Sequence, residues 1–202
     1  MARSKSVISR ITLKQVQQAL PREVSYTKGL KKVVERKIKS AQQKLLENFE
    51  QHPVTVEIAG GSSSTNVSGT LNGVGNLFSY IGFQSGDRPL DPIRTMLQKY
   101  EVRYQHTKTK TIINITVPTT KEIFRITPLP WATGRSWAKG IETGIGGLGR
   151  YLNIASARSR SGRGVQVKSK LRAGKFNNTT YLSSLLKEYY KEIRKIEKGS
   201  LS

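Results

Sequence analysis

Cysteine is absent from this 202-residue sequence, and acidic residues are scarce. The lack of cysteine excludes disulfide scaffolds, zinc ribbons and thiol catalysis. No apolar run approaches the ~18 residues that a membrane-spanning helix needs. Histidine occurs only at His52 and His106. Neither has a ligand-like partner three or four residues away, so we expect surface or strand-edge histidines and no metal site.

The charge balance is the strongest compositional signal. Lys and Arg number 35 against 13 Asp and Glu, which gives a net charge of +22. Such a chain attracts polyanions, chiefly nucleic acid, acidic protein surfaces or anionic lipid. With so many bases, most carboxylates are expected in surface ion pairs. The basic N-terminus lacks the apolar core of a secretory signal, so the sequence predicts a protein made and used in a cytoplasm.

The stretch "GIGGLG", Gly144 to Gly149, matches G-x-G-x-x-G literally. A dinucleotide-binding turn also needs a preceding strand and an acidic residue about 20 positions later. Here the next acidic residue is Glu188, so we expect flexible or closely packed backbone and no nucleotide cofactor. No nucleophile, base and orienting group can be assembled either. The sequence predicts no catalytic, cofactor or metal residues and no enzyme.

Two helices are predicted from apolar spacing. Apolar residues recur at offsets of three and four from Leu30 to Phe49, which predicts a long amphipathic helix over 28–50 that ends before Pro53. The same spacing from Leu182 to Ile196 predicts a C-terminal helix within 177–202. A shorter helix, with Asp91 as its cap, is predicted between Pro89 and Tyr100.

The remaining patterns before Pro130 predict strands. Segments rich in β-branched and aromatic residues lie near 54–58, 76–83, 101–107, 111–117 and 122–127. The last three are predicted to form an antiparallel meander. The predicted fold class is therefore α+β: a long amphipathic helix packed on a small antiparallel β-sheet within a body of residues 1–130.

Residues 131–176 are predicted to form an extended basic arm. The segment is rich in glycine, and from Thr143 to Lys187 there are nine Lys or Arg and no Asp or Glu. A run of like charges repels itself, so we expect it to become ordered only against a partner. The candidate residues for assembly or polyanion contact are Arg150, Arg158, Arg160, Arg163, Lys168, Lys170, Arg172 and Lys175.

Three roles for this arm stay open. It could lie on nucleic-acid phosphates, where affinity falls steeply with salt. It could thread between neighbouring copies of a protein ring, with its glycines allowing close backbone contact. It could also be a tether with no specific role. Interleaved apolar residues such as Ile145 and Leu148 favour ordered contact, since a purely electrostatic arm would not need them.

The order of elements resembles a known family. A long basic helix is followed by "HPVTVEI", by "SGTLNGVGNLFSYIGF", and by a helix and strand hairpins. This order is similar to that of the small neck and tail-completion proteins of tailed bacteriophages, the head–tail joining or tail-terminator group. In that family a helix precedes a "TG-x-L"-type segment that enters an antiparallel sheet. Here that segment is "SGTL", Ser68 to Leu71, and the resemblance covers 28–130.

The resemblance implies a non-enzymatic virion structural protein that forms a six- or twelve-fold ring around the DNA channel. Its implied partners are further copies of itself, adjoining portal, neck or tail proteins, and DNA in the channel, with no membrane. It implies assembly in the host cytoplasm and residence in the virion. The alternative is a basic nucleic-acid-binding protein of ribosomal or nucleoid type. A peripheral membrane protein is disfavoured because the C-terminal helix has nearly as many Glu as Lys.

Overall fold

The computed structural model describes residues 8–12, 24–71, 75–106, 111–130, 132–143, 151–153, 165–167 and 179–197. The chain divides into two compact units. The first comprises Met1–Asn48, Arg94–Thr120 and Ser184–Ser202, and the second comprises Phe49–Ile93 and Lys121–Ser183.

The first unit is built on helix α1, Val24–Gln51, which continues into the second unit. Its apolar positions Leu30, Val34, Ile38 and Leu45 are all buried. They recur with the helical period and form one apolar stripe, while most of the Lys, Arg and Gln residues between them are exposed. The predicted helix over 28–50 is confirmed.

The sheet of the first unit has three antiparallel strands: β1 (Ile8–Thr12), β2 (Glu101–His106) and β3 (Thr111–Thr116). The strand order is β1-β3-β2, with β3 in the centre. Ile113 and Ile115 of β3 are buried and alternate with half-buried residues, as expected of a strand with one face on a core. The strands predicted at 101–107 and 111–117 are confirmed, but the third strand comes from the N-terminal segment.

Helix α1 contacts this sheet. Lys31 Nζ lies 5.1 Å from the centre of the Tyr104 ring on β2. Next to the sheet, Gln42 Nε2 donates at 3.2 Å to the backbone oxygen of Leu97, four residues before β2 begins. Burial, with smaller contributions from Glu35 and Tyr100, raises the pKa of Tyr104 to about 12. The long helix and the small antiparallel sheet of the predicted α+β fold are therefore present.

The C-terminal helix α7 spans Leu182–Glu197, which confirms the helix predicted within 177–202. In the first unit its buried residues Leu186, Tyr189, Ile193 and Ile196 follow the helical period. Tyr190 Oη donates to the backbone oxygen of Pro118, just after β3, at 2.6 Å.

The second unit is mostly helical where strands were predicted. Helix α2 spans Pro53–Ala59, and α3 spans Leu77–Ile81. Helix α4 spans Asp91–Leu97 and has its first residues in the second unit, and α5 spans Thr120–Arg125. The predictions of strands near 54–58, 76–83 and 122–127 are therefore wrong. Asp91 is the first residue of α4 and places its carboxyl group in the first turn.

Capping and burial explain these differences. In α2, His52 caps the helix, Pro53 lies in its first turn, and the buried residues Val54, Thr55, Glu57 and Ile58 have helical rather than alternating spacing. In α3, Asn76 is the N-cap and Gly82, with φ of 94°, is the left-handed C-cap. In α5, Ile123 is buried, and the buried Thr127, two residues after the helix ends, donates its hydroxyl to Ile123 O at 3.0 Å. Helix ends and tertiary burial thus override the β propensity of these short segments.

The second unit also contains the start of the predicted arm. Strands β4 (Pro128–Leu129) and β5 (Ala132–Ser136) pair antiparallel, and helix α6 follows at Trp137–Thr143. Trp137 is buried and meets Phe83 edge-on, with ring centres 5.8 Å apart. Residues 132–143 therefore belong to the packed unit rather than to an extended segment.

Two short strands are described further along the arm. β6 (Tyr151–Asn153) and β7 (Val165–Val167) pair antiparallel, with Leu152 opposite Gln166. The chain therefore reverses direction between them. The other residues of 144–178 lie outside the described residues, and the extended form of the arm stays a prediction.

Candidate assembly surface

One segment of this strongly basic chain carries almost no charge. Across residues 51–86, which we call the uncharged segment, Glu57 is the only Asp, Glu, Lys or Arg. Glu57 is completely buried. The exposed side chains of the uncharged segment are therefore neutral polar or apolar, on a chain whose net charge is +22.

Glu57 holds the backbone of this segment through hydrogen bonds made by its buried carboxyl group. Its Oε2 accepts a hydrogen bond from the backbone N–H of Ser68 at 2.8 Å, and its Oε1 accepts from the N–H of Leu77 at 2.7 Å. One side chain on α2 therefore holds both the middle of the following loop and the first residue of α3. Hydrogen bonds to two backbone amides offset the cost of burying a carboxyl group, which would otherwise be large.

Asn76 completes the same connection. Its Oδ1 accepts from Ser79 N–H at 2.9 Å, which caps α3, and its Nδ2 donates to Ser62 O at 3.0 Å in the 3₁₀ turn Gly61–Ser63. Together Glu57 and Asn76 accept hydrogen bonds from N–H groups at the start of α3 that have no partner within the helix, and they tie the loop to it. The loop therefore has a defined shape although its composition is typical of a flexible linker.

His52 and Tyr181 hold the N-terminal end of α2. His52 Nδ1 accepts from Val54 N–H at 3.2 Å, and the His52 ring lies 4.7 Å from the Tyr181 ring. Tyr181 is buried, and its hydroxyl lies 2.7 Å from Thr55 Oγ1. Burial lowers the pKa of His52, against a smaller upward contribution from a hydrogen bond with the backbone of Thr180.

The outer face of α2 is apolar. Pro53, Val56 and Ala59 are spaced three residues apart and are all exposed, with Val56 at 43%. Val67, which precedes the Ser68 amide held by Glu57, is 53% exposed. Val56 and Val67 are the large apolar residues that the described part of the chain leaves most open to solvent. The surface combines apolar side chains with small neutral ones and no charge.

The eight basic residues predicted from the sequence as contact residues, Arg150, Arg158, Arg160, Arg163, Lys168, Lys170, Arg172 and Lys175, all lie outside the described residues. Their role stays a prediction. The glycine run 144–149 also lies outside them. Directly before this run the chain forms helix α6, whereas a dinucleotide-binding turn follows a strand.

Two expectations from the sequence need correction, and a third has an exception. Most carboxylates were expected in surface ion pairs, but Glu57 is buried and bonded to backbone amides. His52 is a half-buried helix cap rather than a surface or strand-edge histidine. Ser68 to Leu71 lies in a turn region, and the next element among the described residues is helix α3 rather than a strand. The signal that was missed is the isolation of Glu57, a single acid in a long neutral stretch that begins with a capping pair, His-Pro.

The described residues offer few other sites. A groove of about 280 Å³ lies between α1 and α7 in the first unit, and its charges oppose one another: Lys44, Lys191 and Lys195 against Glu188 and Glu192. Within the described ranges, no cluster of three or more His, Asp or Glu could hold a metal ion. A search of the same residues finds no helix with the length and apolar character needed to cross a membrane.

No protein-family model matches this chain, and no curated protein or solved structure matches it.

Replacing Glu57 by Gln should destabilise the protein. A Gln side chain has only one oxygen, so its NH₂ group would face either the Ser68 or the Leu77 N–H as donor against donor. We expect a loss of about 1–3 kcal/mol in the free energy of unfolding, measured by chemical denaturation. The control is Glu47→Gln, the same change on an exposed side chain of α1, which should cost much less. Equal losses would contradict the buried role of Glu57.

His52 should make stability depend on pH. Its pKa is lowered in the folded protein, so the unfolded chain binds its proton more readily. The free energy of unfolding should then fall as the pH drops below about 6.5. His52→Asn keeps a capping side chain but cannot titrate. Below pH 6.5, wild type should lose stability relative to His52→Asn, and parallel pH curves for the two proteins would refute this assignment. His106→Asn is the matched control and should retain the dependence.

Proposed function

We propose that this chain is a non-enzymatic structural subunit that assembles with copies of itself into a closed ring. The ring is of the kind that joins head to tail in tailed bacteriophages, as a connector or tail terminator around the DNA channel. The observation that carries the proposal is the uncharged surface of residues 51–86 on a chain of net charge +22.

Electrostatics supports self-association through that surface. Identical basic chains repel one another, and the repulsion is greatest where basic surfaces meet. Protein interfaces have cores depleted of charged residues, especially Lys, Glu and Asp. The outer face of α2, with Pro53, Val56 and Ala59, and the adjoining Val67 meet both requirements. A neighbouring copy can approach this surface without placing Lys or Arg against Lys or Arg from the segment itself.

Pre-organisation also supports the proposal. The hydrogen bonds from Ser68 and Leu77 to Glu57 fix the loop of the uncharged segment before any partner arrives. Less conformational entropy is then lost on association. A ring requires contact between two different patches of each subunit, because an interface of one patch with itself gives only a dimer. We propose that the uncharged segment is one patch and that residues of the arm after Gly140 contribute to contacts with neighbours or adjoining rings.

The second candidate function is nucleic-acid binding of ribosomal or nucleoid type. It is favoured by the net charge and by the acid-free stretch from Thr143 to Lys187. The two functions respond oppositely to salt. Salt screens repulsion between basic copies and so promotes assembly, whereas it competes with basic residues for phosphates and so weakens nucleic-acid binding.

Assembly can be tested by mass measurement of the purified protein at increasing salt. Raising the salt from about 0.15 M to about 1 M shortens the screening length from ~8 Å to ~3 Å. We expect a single closed species of six or twelve copies to increase in population over this range. Val56→Lys places a like charge on the apolar face of α2, so it should weaken association roughly tenfold or more.

The control is Gln98→Lys, which adds the same charge at another exposed position, in the first unit. It should leave the assembled fraction close to that of wild type. A protein that stays monomeric at every salt concentration, or equal effects of the two variants, would contradict the proposed role of the uncharged surface.

A further inference from the structure

A second surface, on α1, is strongly basic, in contrast to the uncharged segment. Lys28, Lys32, Arg36 and Lys39 are all exposed and follow one another at intervals of four, four and three residues. This spacing places them on one side of the helix, over roughly 16 Å of its length. We call these four residues the lysine face. Leu30, Val34 and Ile38 hold the opposite side of α1 in the core of the first unit.

The lysine face has few acidic neighbours among the described residues. Within the described residues none of its four members forms an ion pair, whereas Lys195 on α7 bonds Glu192 at 2.7 Å. Glu35 is the only acidic residue between Lys28 and Lys39. Four exposed cations in one row, against one carboxylate, create a local positive potential that an anionic partner can lower.

The side chains of the lysine face fit one class of anionic partner better than the others. It contains no aromatic or exposed large apolar residue, and three of its four members are lysines, which are depleted at protein–protein interfaces. A membrane-surface helix needs an apolar side free to enter lipid, but the apolar side of α1 is buried. Single-stranded nucleic acid binds with aromatic stacking, which the face cannot supply. The phosphate backbone of a duplex requires only positioned cations.

We propose that the lysine face of α1 binds the phosphate backbone of duplex nucleic acid without reading its sequence. Four cations along one helix face contact successive phosphates and release their counterions. The contact is independent of the base sequence because no side chain of the face is placed to recognise a base edge. This inference uses different residues from the assembly surface and does not depend on ring formation.

The test is binding of a short mixed-sequence DNA duplex by the full chain between about 50 and 200 mM salt. The variant combines Lys28→Gln, Lys32→Gln, Arg36→Gln and Lys39→Gln. Each phosphate contact contributes about 0.9 to the slope of log K against log salt, so the slope should decrease in magnitude by about 3–4. Because Gln is a good helix former, the far-ultraviolet circular dichroism spectrum of the protein should be unchanged.

The matched control removes the same charge from scattered exposed positions: Lys99→Gln, Lys121→Gln, Lys139→Gln and Lys187→Gln. It should change the slope by less than about one unit. If both quadruple variants weaken binding equally, or neither does, attraction by the net charge alone suffices and the proposal is wrong.

A second probe, polyglutamate, separates a nucleic acid from an acidic protein as the partner. Loss of polyglutamate binding with the duplex slope retained, in the lysine-face variant, would assign the face to an acidic protein and overturn the proposal. Failure of the assembly test would leave the duplex result unaffected, because the two experiments change different residues and measure different quantities.

Discussion

Like-charge repulsion is the constraint on which this account rests. With 35 basic and 13 acidic residues, every copy of the chain repels every other copy. Such a protein can self-associate only where its own charge is low, or where a polyanion neutralises it. The chain meets both conditions in separate stretches of sequence: residues 51–86 carry no charged side chain except the buried Glu57, and α1 carries a row of cations that form no ion pair with the described residues. We interpret this division as the basis of its function.

The neutral surface depends on one buried side chain. A Gly-, Ser- and Asn-rich loop has little apolar area with which to hold a fixed conformation. Glu57 supplies what the loop lacks, because its two carboxyl oxygens accept from Ser68 and Leu77 and hold the loop against α2 and α3. Since that carboxyl group is fully buried, the segment gains a polar anchor without placing charge on its surface. Glu57 therefore fixes the conformation of the loop and, because it is buried, leaves the surface of the segment uncharged.

Sequence patterns predicted the long elements better than the short ones. The helical period of α1 and α7 and the alternation of β3 extend over enough residues to be distinctive, and these predictions are confirmed. At Val54–Ile58 the apolar residues alternate as in a strand, but five residues are too few to establish a period, and the outcome was decided by His52 as a cap and by burial. The isolation of Glu57 in a neutral stretch marks the residue in the sequence, but its partners could not be predicted, because they are backbone amides 11 and 20 residues away.

The most direct test of the account is a residue-resolution image of the assembled species. We expect residues of the uncharged segment, including Val56 and Val67, to lie in the contact between neighbouring copies. We expect the lysine face of α1 to be free of other copies and directed at nucleic acid wherever nucleic acid is present. An assembly in which basic helices meet one another, with the uncharged segment left in solvent, would contradict it.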